Sequence, residues 1–249
     1  MNYLQKMTYY NDLTTNDIYI HTNGAQNILF IGGCRAFVYS IFLEEICKTN
    51  QYLKNAQFGF SAIAVHIIEF YKRGKTKNMT NVIENADIII CEQVRQYNVL
   101  NTSEECEQNI FNSFNIKPTC KIIQVPNLEF RYYKNDLVLH SDNINEIKMM
   151  KEEVLNKFIV FLKKYGFDNF SKYVIDNIHS KRFFISVNHP CNHTIIEFIR
   201  ELCNIVWQQQ LSYETISKLN KIQIFDNDFN DRTKISIEDY QTGLDPNVQ

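Results

Sequence analysis

Cys34 follows Gly32 and Gly33 and precedes a long, mostly apolar stretch free of Gly and Pro. A thiol at a helix start lies near unpaired backbone N–H groups and the positive end of the helix dipole, and both favour the thiolate. The glycines let the backbone approach a ligand closely. A buried structural cysteine is the alternative reading of the same position. His189, held in an Asn188-His189-Pro190 turn, has the proton affinity to deprotonate a hydroxyl, amine or thiol near neutral pH, or else it simply satisfies a turn. His193 falls near the start of the next helix, where a cation is disfavoured. Gln93 and Asn127 are amides able to donate to a developing oxyanion. Lys72, Arg73, Lys75 and Lys77 form a basic segment that reads as a phosphate contact or as a solvated loop. His189, Cys191 and His193 alternate across a turn and a helix start, a spacing that rarely converges on one ion, so no metal is expected.

These residues sit at the ends of recognisable elements. Ile28 to Ile31 is an unbroken apolar run that stops at Gly32-Gly33, and Ala36 to Lys48 reads as a buried helix. Phe58 to Tyr71 reads as a strand passing into a helix. Asp87 to Cys91 and Lys121 to Val125 are β-branched runs, read as strands buried on two faces. Ile147, Met150, Val154, Phe158, Phe161 and Leu162 recur at a helical period that ends near Gly166. Asn169 to His179 is a further helix, Phe183 to Val187 a strand, and Thr194 to Gln208 a helix. Doubly buried strands separated by helices imply a three-layer α/β fold, a mostly parallel sheet with helices on both faces. Functional groups then collect at the carboxyl ends of the strands, where Gly32-Gly33-Cys34-Arg35, Glu92-Gln93, Pro126-Asn127 and Asn188-His189-Pro190 all fall. Residues 1–27 read as a polar, irregular arm, 28–224 as a single α/β domain, and 225–249 as a polar tail.

The chain has 249 residues, with 26 Lys+Arg against 28 Asp+Glu and a net charge of −2, which argues against nucleic acid or a membrane surface as a partner held by bulk charge. A hydrophobic fraction of 45% supplies a buried core and excludes wholesale disorder. Seven cysteines is an odd number, and neither a signal peptide nor a membrane-spanning run is evident. Reduced thiols in a cytoplasmic compartment are expected.

There is no Gly-x-Gly-x-x-Gly, Walker A loop, His-Glu-x-x-His or Gly-x-Ser-x-Gly, so nucleotide hydrolysis, hydride transfer and zinc proteolysis lose support. Four motifs in order, Ile-Gly-Gly-Cys-Arg at 31 to 35, Ala-Asp-Ile-Ile-Ile-Cys-Glu-Gln at 86 to 93, Val-Pro-Asn at 125 to 127 and Asn-His-Pro-Cys-Asn at 188 to 192, resemble the WcbI-type polysaccharide biosynthesis acetyltransferases. The family's Gly-Asn-Cys-Gln stands here as Gly-Gly-Cys-Arg.

The resemblance, which spans about residues 27 to 210, implies transfer of an acetyl group from acetyl-coenzyme A to a sugar hydroxyl or amine, the sugar free or nucleotide-linked. It implies Cys34 and His189 as catalytic residues, with His189 the general base and Cys34 an acyl carrier or a polar wall. Gly33, Arg35, Gln93, Asn127 and Asn188 would contact substrate. Arg35, Lys72, Arg73 and Lys75 would meet the phosphates of coenzyme A. The partners are then small molecules, and a homo-oligomer is compatible with this reading. Two other classes remain open. A carbohydrate esterase of the GDSL type would use water as acceptor, and Asp176 and His179 show its Asp-x-x-His spacing. A non-catalytic nucleotide-sugar binding module would bind without turnover.

Overall fold

The computed structural model describes residues 8–10, 18–20, 24–33, 35–63, 77–93, 108, 111–130, 144–181, 183–186 and 189–222. They form two compact units, one drawn from residues 1–127 and 211–219, the other from 128–210 and 220–249.

The first unit is built on a six-stranded sheet. Its strands are β1 (Thr8–Tyr10), β2 (Ile18–Ile20), β3 (Gln26–Ile31), β4 (Phe58–Ile63), β5 (Ile88–Gln93) and β6 (Lys121–Pro126), in the order β1-β2-β4-β3-β5-β6. β4, β3, β5 and β6 are parallel, whereas β1 and β2 add antiparallel at the β4 edge. The segment expected as an irregular arm therefore supplies two strands. These are three residues long, too short for a period-of-two pattern to declare itself.

Every residue of β3 from Ile28 and every residue of β5 is buried, as befits central parallel strands. β6 departs from the expectation of burial on two faces. It is an edge strand whose first two residues are exposed, Ile122 by 41%.

Helices cover both faces. α1 (Arg35–Thr49) lies on the face that carries Phe30, whose ring meets Tyr39 at 6.1 Å. α2 (Gln51–Asn55) follows it, and α3 (Lys77–Glu84) packs on the opposite face, where Met79, Val82 and Ile83 join Leu29, Ile31, Ile63, Ile89 and Cys91 in one buried cluster. Burying each such aliphatic side chain contributes about 1.5–3 kcal/mol. The three-layer α/β architecture expected from the sequence is thus present. The chain passes from β3 through α1 to β4 on one side, then from β4 back past β3 to β5 on the other. That reversal creates a topological switch point outside the carboxyl ends of β3 and β5.

The second unit contains α4 (Ile144–Lys164), α5 (Asp168–Asn177), the strand pair β7 (Phe184–Ser186) and β8 (His189–Pro190), and α6 (Asn192–Trp207). α7 (Tyr213–Leu219) belongs to the first unit, where Thr49 Oγ1 donates to Thr215 Oγ1 at 3.2 Å. α4 stops at Gly166, whose φ of 81° only a residue without Cβ takes readily, and Phe167 N–H closes the end on Leu162 O. Phe130, Phe158 and Phe184 pack with ring centroids 4.6 to 6.1 Å apart, and Phe167 stacks on Phe198 at 4.5 Å.

Candidate functional site

The carboxyl ends of β3, β5 and β6 meet around one carboxylate. The register Ile31↔Cys91, carried one residue further, sets Gly32 opposite Glu92. A Cβ on Gly32 would lie 2.5 Å from Glu92 Oε2 and 2.7 Å from its Cδ, so only glycine admits the carboxylate here. Glu92 Oε2 accepts the Gly33 N–H at 2.9 Å and Arg35 Nη2 at 3.2 Å. Oε1 accepts Arg35 Nε at 3.0 Å and the Tyr39 hydroxyl at 3.1 Å. Arg35 and Tyr39 are four residues apart on α1, one helical turn, and so present both donors to the same carboxylate. Glu92 thereby grips the residues on both sides of Cys34.

Arg35 and Glu92 are each 2% exposed. An ion pair so deep is tolerated only where hydrogen bonds fill the remaining sites, as they do here. Asn127 continues the β5–β6 ladder, its N–H donating to Gln93 O at 2.9 Å, and its side-chain Oδ1 accepts from Arg35 Nη2. Asn127 Nδ2 is buried with no hydrogen-bond partner among the described residues. A buried donor left unpaired costs about 1–3 kcal/mol, so its retention calls for an explanation.

Of the residues singled out from sequence, Gly33, Arg35, Gln93 and Asn127 come together at the switch point, all of them buried. Arg35 was expected on a phosphate, but its Nε and Nη2 are engaged inside the protein by Glu92 and Asn127. Cys34, Lys72, Arg73, Lys75 and Asn188 lie outside the described residues. Lys77, read as the end of a basic loop, opens α3.

The expectation that Asn188-His189 closes a strand of the parallel sheet is corrected. β7 pairs antiparallel with β8, Ser186 opposite His189, in a separate two-stranded sheet of the second unit. A run of five residues shows that a strand exists without showing which sheet takes it. His193, on the first turn of α6, places Nδ1 3.2 Å from the Tyr173 hydroxyl, whose pKa burial and the Glu197 charge push up to about 12. Asp176 and His179, the Asp-x-x-His pair, are both exposed, and Asp176 is among the residues that line a polar cleft of about 410 Å³ between α5 and α6.

Sequence reasoning placed Glu92 at a strand end without giving it a role, and it missed Tyr39. A carboxylate ending the run Ile88-Ile89-Ile90-Cys91 was the available signal, because a charge on a doubly buried strand must find a cation. Among the other cysteines, Cys91 and Cys203 are buried in packing, and burial and the Glu44 charge push the Cys47 thiol up to about 12, which suits an inert structural role.

Fold and site together define a doubly wound α/β unit with a polar cluster at its switch point. The chain matches no protein-family model, no curated protein and no solved structure.

Proposed function

We propose that this chain is an acyltransferase that acetylates a hydroxyl or amino group of a sugar, free or nucleotide-linked, in polysaccharide or glycan biosynthesis. The observation that carries the reading is the buried Asn127 Nδ2 at the switch point, which has no hydrogen-bond partner among the described residues and whose side chain is linked through Arg35 and Glu92 to the Gly33 N–H. A desolvated N–H donor is what stabilises the oxygen of an acyl group under attack. The ordered resemblance of the four motifs supplies the substrate class.

Acetyl-coenzyme A would supply an activated acetyl group. Asn127 would meet its acyl end, while Lys72, Arg73 and Lys75 would hold the phosphates in place of the internally engaged Arg35. His189 would take the proton from the acceptor hydroxyl or amine as its oxygen or nitrogen bonds to the acyl carbon and the bond from that carbon to sulfur breaks. Cys34 would carry the acyl group or border it.

The test is coenzyme A release with a panel of neutral and amino sugars and their nucleotides, read by mass spectrometry. Acetylated sugar from the wild type, with loss of release in Cys34→Ala and His189→Ala, is the expected result. Full activity in both variants overturns the assignment. So does acetate release that needs no coenzyme A, which marks an esterase, and so does sugar-nucleotide binding without turnover, which marks a binding module.

A further inference from the structure

We propose that Arg35 and Glu92 are positioning residues, which fix the Asn127 amide so that Nδ2 is the donor presented by the site. The orientation follows from donor chemistry. A guanidinium has only donors, so the amide atom that meets Arg35 Nη2 must be the oxygen, and Nδ2 is turned away from it. Rotating the amide would set an N–H against a cation. The arginine is itself held at two nitrogens, with Nε and Nη2 on the two Glu92 oxygens. Gly33 N–H and the Tyr39 hydroxyl occupy the same oxygens. A carboxylate offers about four acceptor sites, and these four contacts engage both of its oxygens.

Rigidity is thus passed from α1 and β5 to a side chain at the end of β6. The ion pair also keeps the region near neutral, so the donor works through its dipole in a dry environment, where such a dipole is strongest. This assignment replaces the phosphate-binding role expected of Arg35. The nature of what Nδ2 meets, an acyl oxygen gaining negative charge, rests on the acyltransferase reading; the orientation of the amide does not.

Two measurements on the full chain separate the two. The first is NMR of protein labelled with ¹⁵N-asparagine, in which the Asn127 side-chain signals are identified by their loss in Asn127→Ala. The expected result is a pair of well-separated, exchange-protected amide protons in the wild type. These collapse toward free-amide shifts in Arg35→Lys, which cannot reproduce the two-nitrogen grip. An unchanged pair in Arg35→Lys overturns the proposal whether or not the protein transfers acetyl groups. Tyr39→Phe, which removes one contact to Glu92, gives a smaller shift in the same direction and serves if Arg35→Lys does not fold; an unchanged pair there is equally fatal.

The second measurement is steady-state kinetics. Asn127→Ala and Arg35→Lys should each lower kcat by about 10²–10³-fold with KM little changed, as for a lost oxyanion donor. The double variant should be no slower than Asn127→Ala, because both changes remove the same interaction. Multiplied losses in the double variant would show that Arg35 acts independently of Asn127. A wild type without acetyl transfer would sink the acyltransferase reading and leave the NMR result to decide the positioning role.

Discussion

Arg35 Nε and Nη2 bind the two oxygens of Glu92 at 3.0 and 3.2 Å, joining the first residue of α1 to the end of β5 across 57 positions of sequence. Parallel strands leave their functional groups at one edge, and this pair ties that edge together beneath the turn from β3 into α1. The charge is removed from water on both sides, so its stability depends on the pair staying complete.

Removing one member should therefore cost more than removing both. Glu92→Met, which strands the guanidinium, is expected to lower stability by about 3–5 kcal/mol, while Arg35→Met with Glu92→Met should recover much of that loss. Urea unfolding followed by circular dichroism measures both. A double variant as unstable as the sum of the singles would show that the two residues do not act as a pair.

Gly32→Ala tests the close approach of β3 to the Glu92 side chain. The added methyl would meet Glu92 atoms at 2.5, 2.7 and 2.8 Å, and that side chain is anchored by three residues. The expected loss is about 1–3 kcal/mol, typical of overpacking a filled interior. An unchanged denaturation midpoint would mean that the carboxylate moves aside without cost.

Glu201 caps a helix other than its own. α5 begins after Phe167, which has no side-chain cap, and the Glu201 carboxylate from α6 accepts the Asn169 and Phe170 N–H groups at 2.9 and 2.6 Å. A negative group at this end also complements the helix dipole. Glu201→Ala should cost about 1–3 kcal/mol by orphaning those donors, and amide exchange at Phe170 should accelerate. Exchange at the wild-type rate would exclude the capping role.

Asp87 gives the stability a pH dependence. Its carboxyl is partly buried, which raises its pKa, but the hydrogen bond from Lys117, the Asn27 N–H and the Lys117 charge together hold it below the usual carboxylate range. A carboxylate depressed in the folded state adds stability above its unfolded pKa of about 3.9 and loses it as the pH falls through the folded value. Wild type should thus lose more stability on acidification than Asp87→Asn, by about 0.2–1 kcal/mol for so exposed a pair. Denaturation midpoints compared at neutral pH and at about pH 2 measure the difference. Parallel losses in the two proteins would remove Asp87 from the acid limb.

Local chemistry wrote much of the fold into the sequence. Ile28 to Ile31 and Ile88 to Ile90 were legible as buried strands because short unbroken apolar runs, β-branched throughout in the second, suit a pleated surface covered on two faces. Gly166 marked the end of α4 because a left-handed backbone excludes most other residues there. The parallel α/β class followed from the alternation of such elements, and Gly33, Gln93 and Asn127 were placed at strand ends by the same reasoning.

Strand order, the separate pairing of β7 with β8, and the partners of buried charges were decided only in three dimensions. Arg35 looked like an anion contact because sequence shows a cation beside a turn and cannot show Glu92 opposite it. Phe167 gave no hint of a cap because the cap arrives from 32 residues away. The physical reason is common to these cases. Periodicity and backbone sterics act between near neighbours, whereas a buried polar group takes whichever partner the packing of distant segments brings within hydrogen-bond reach.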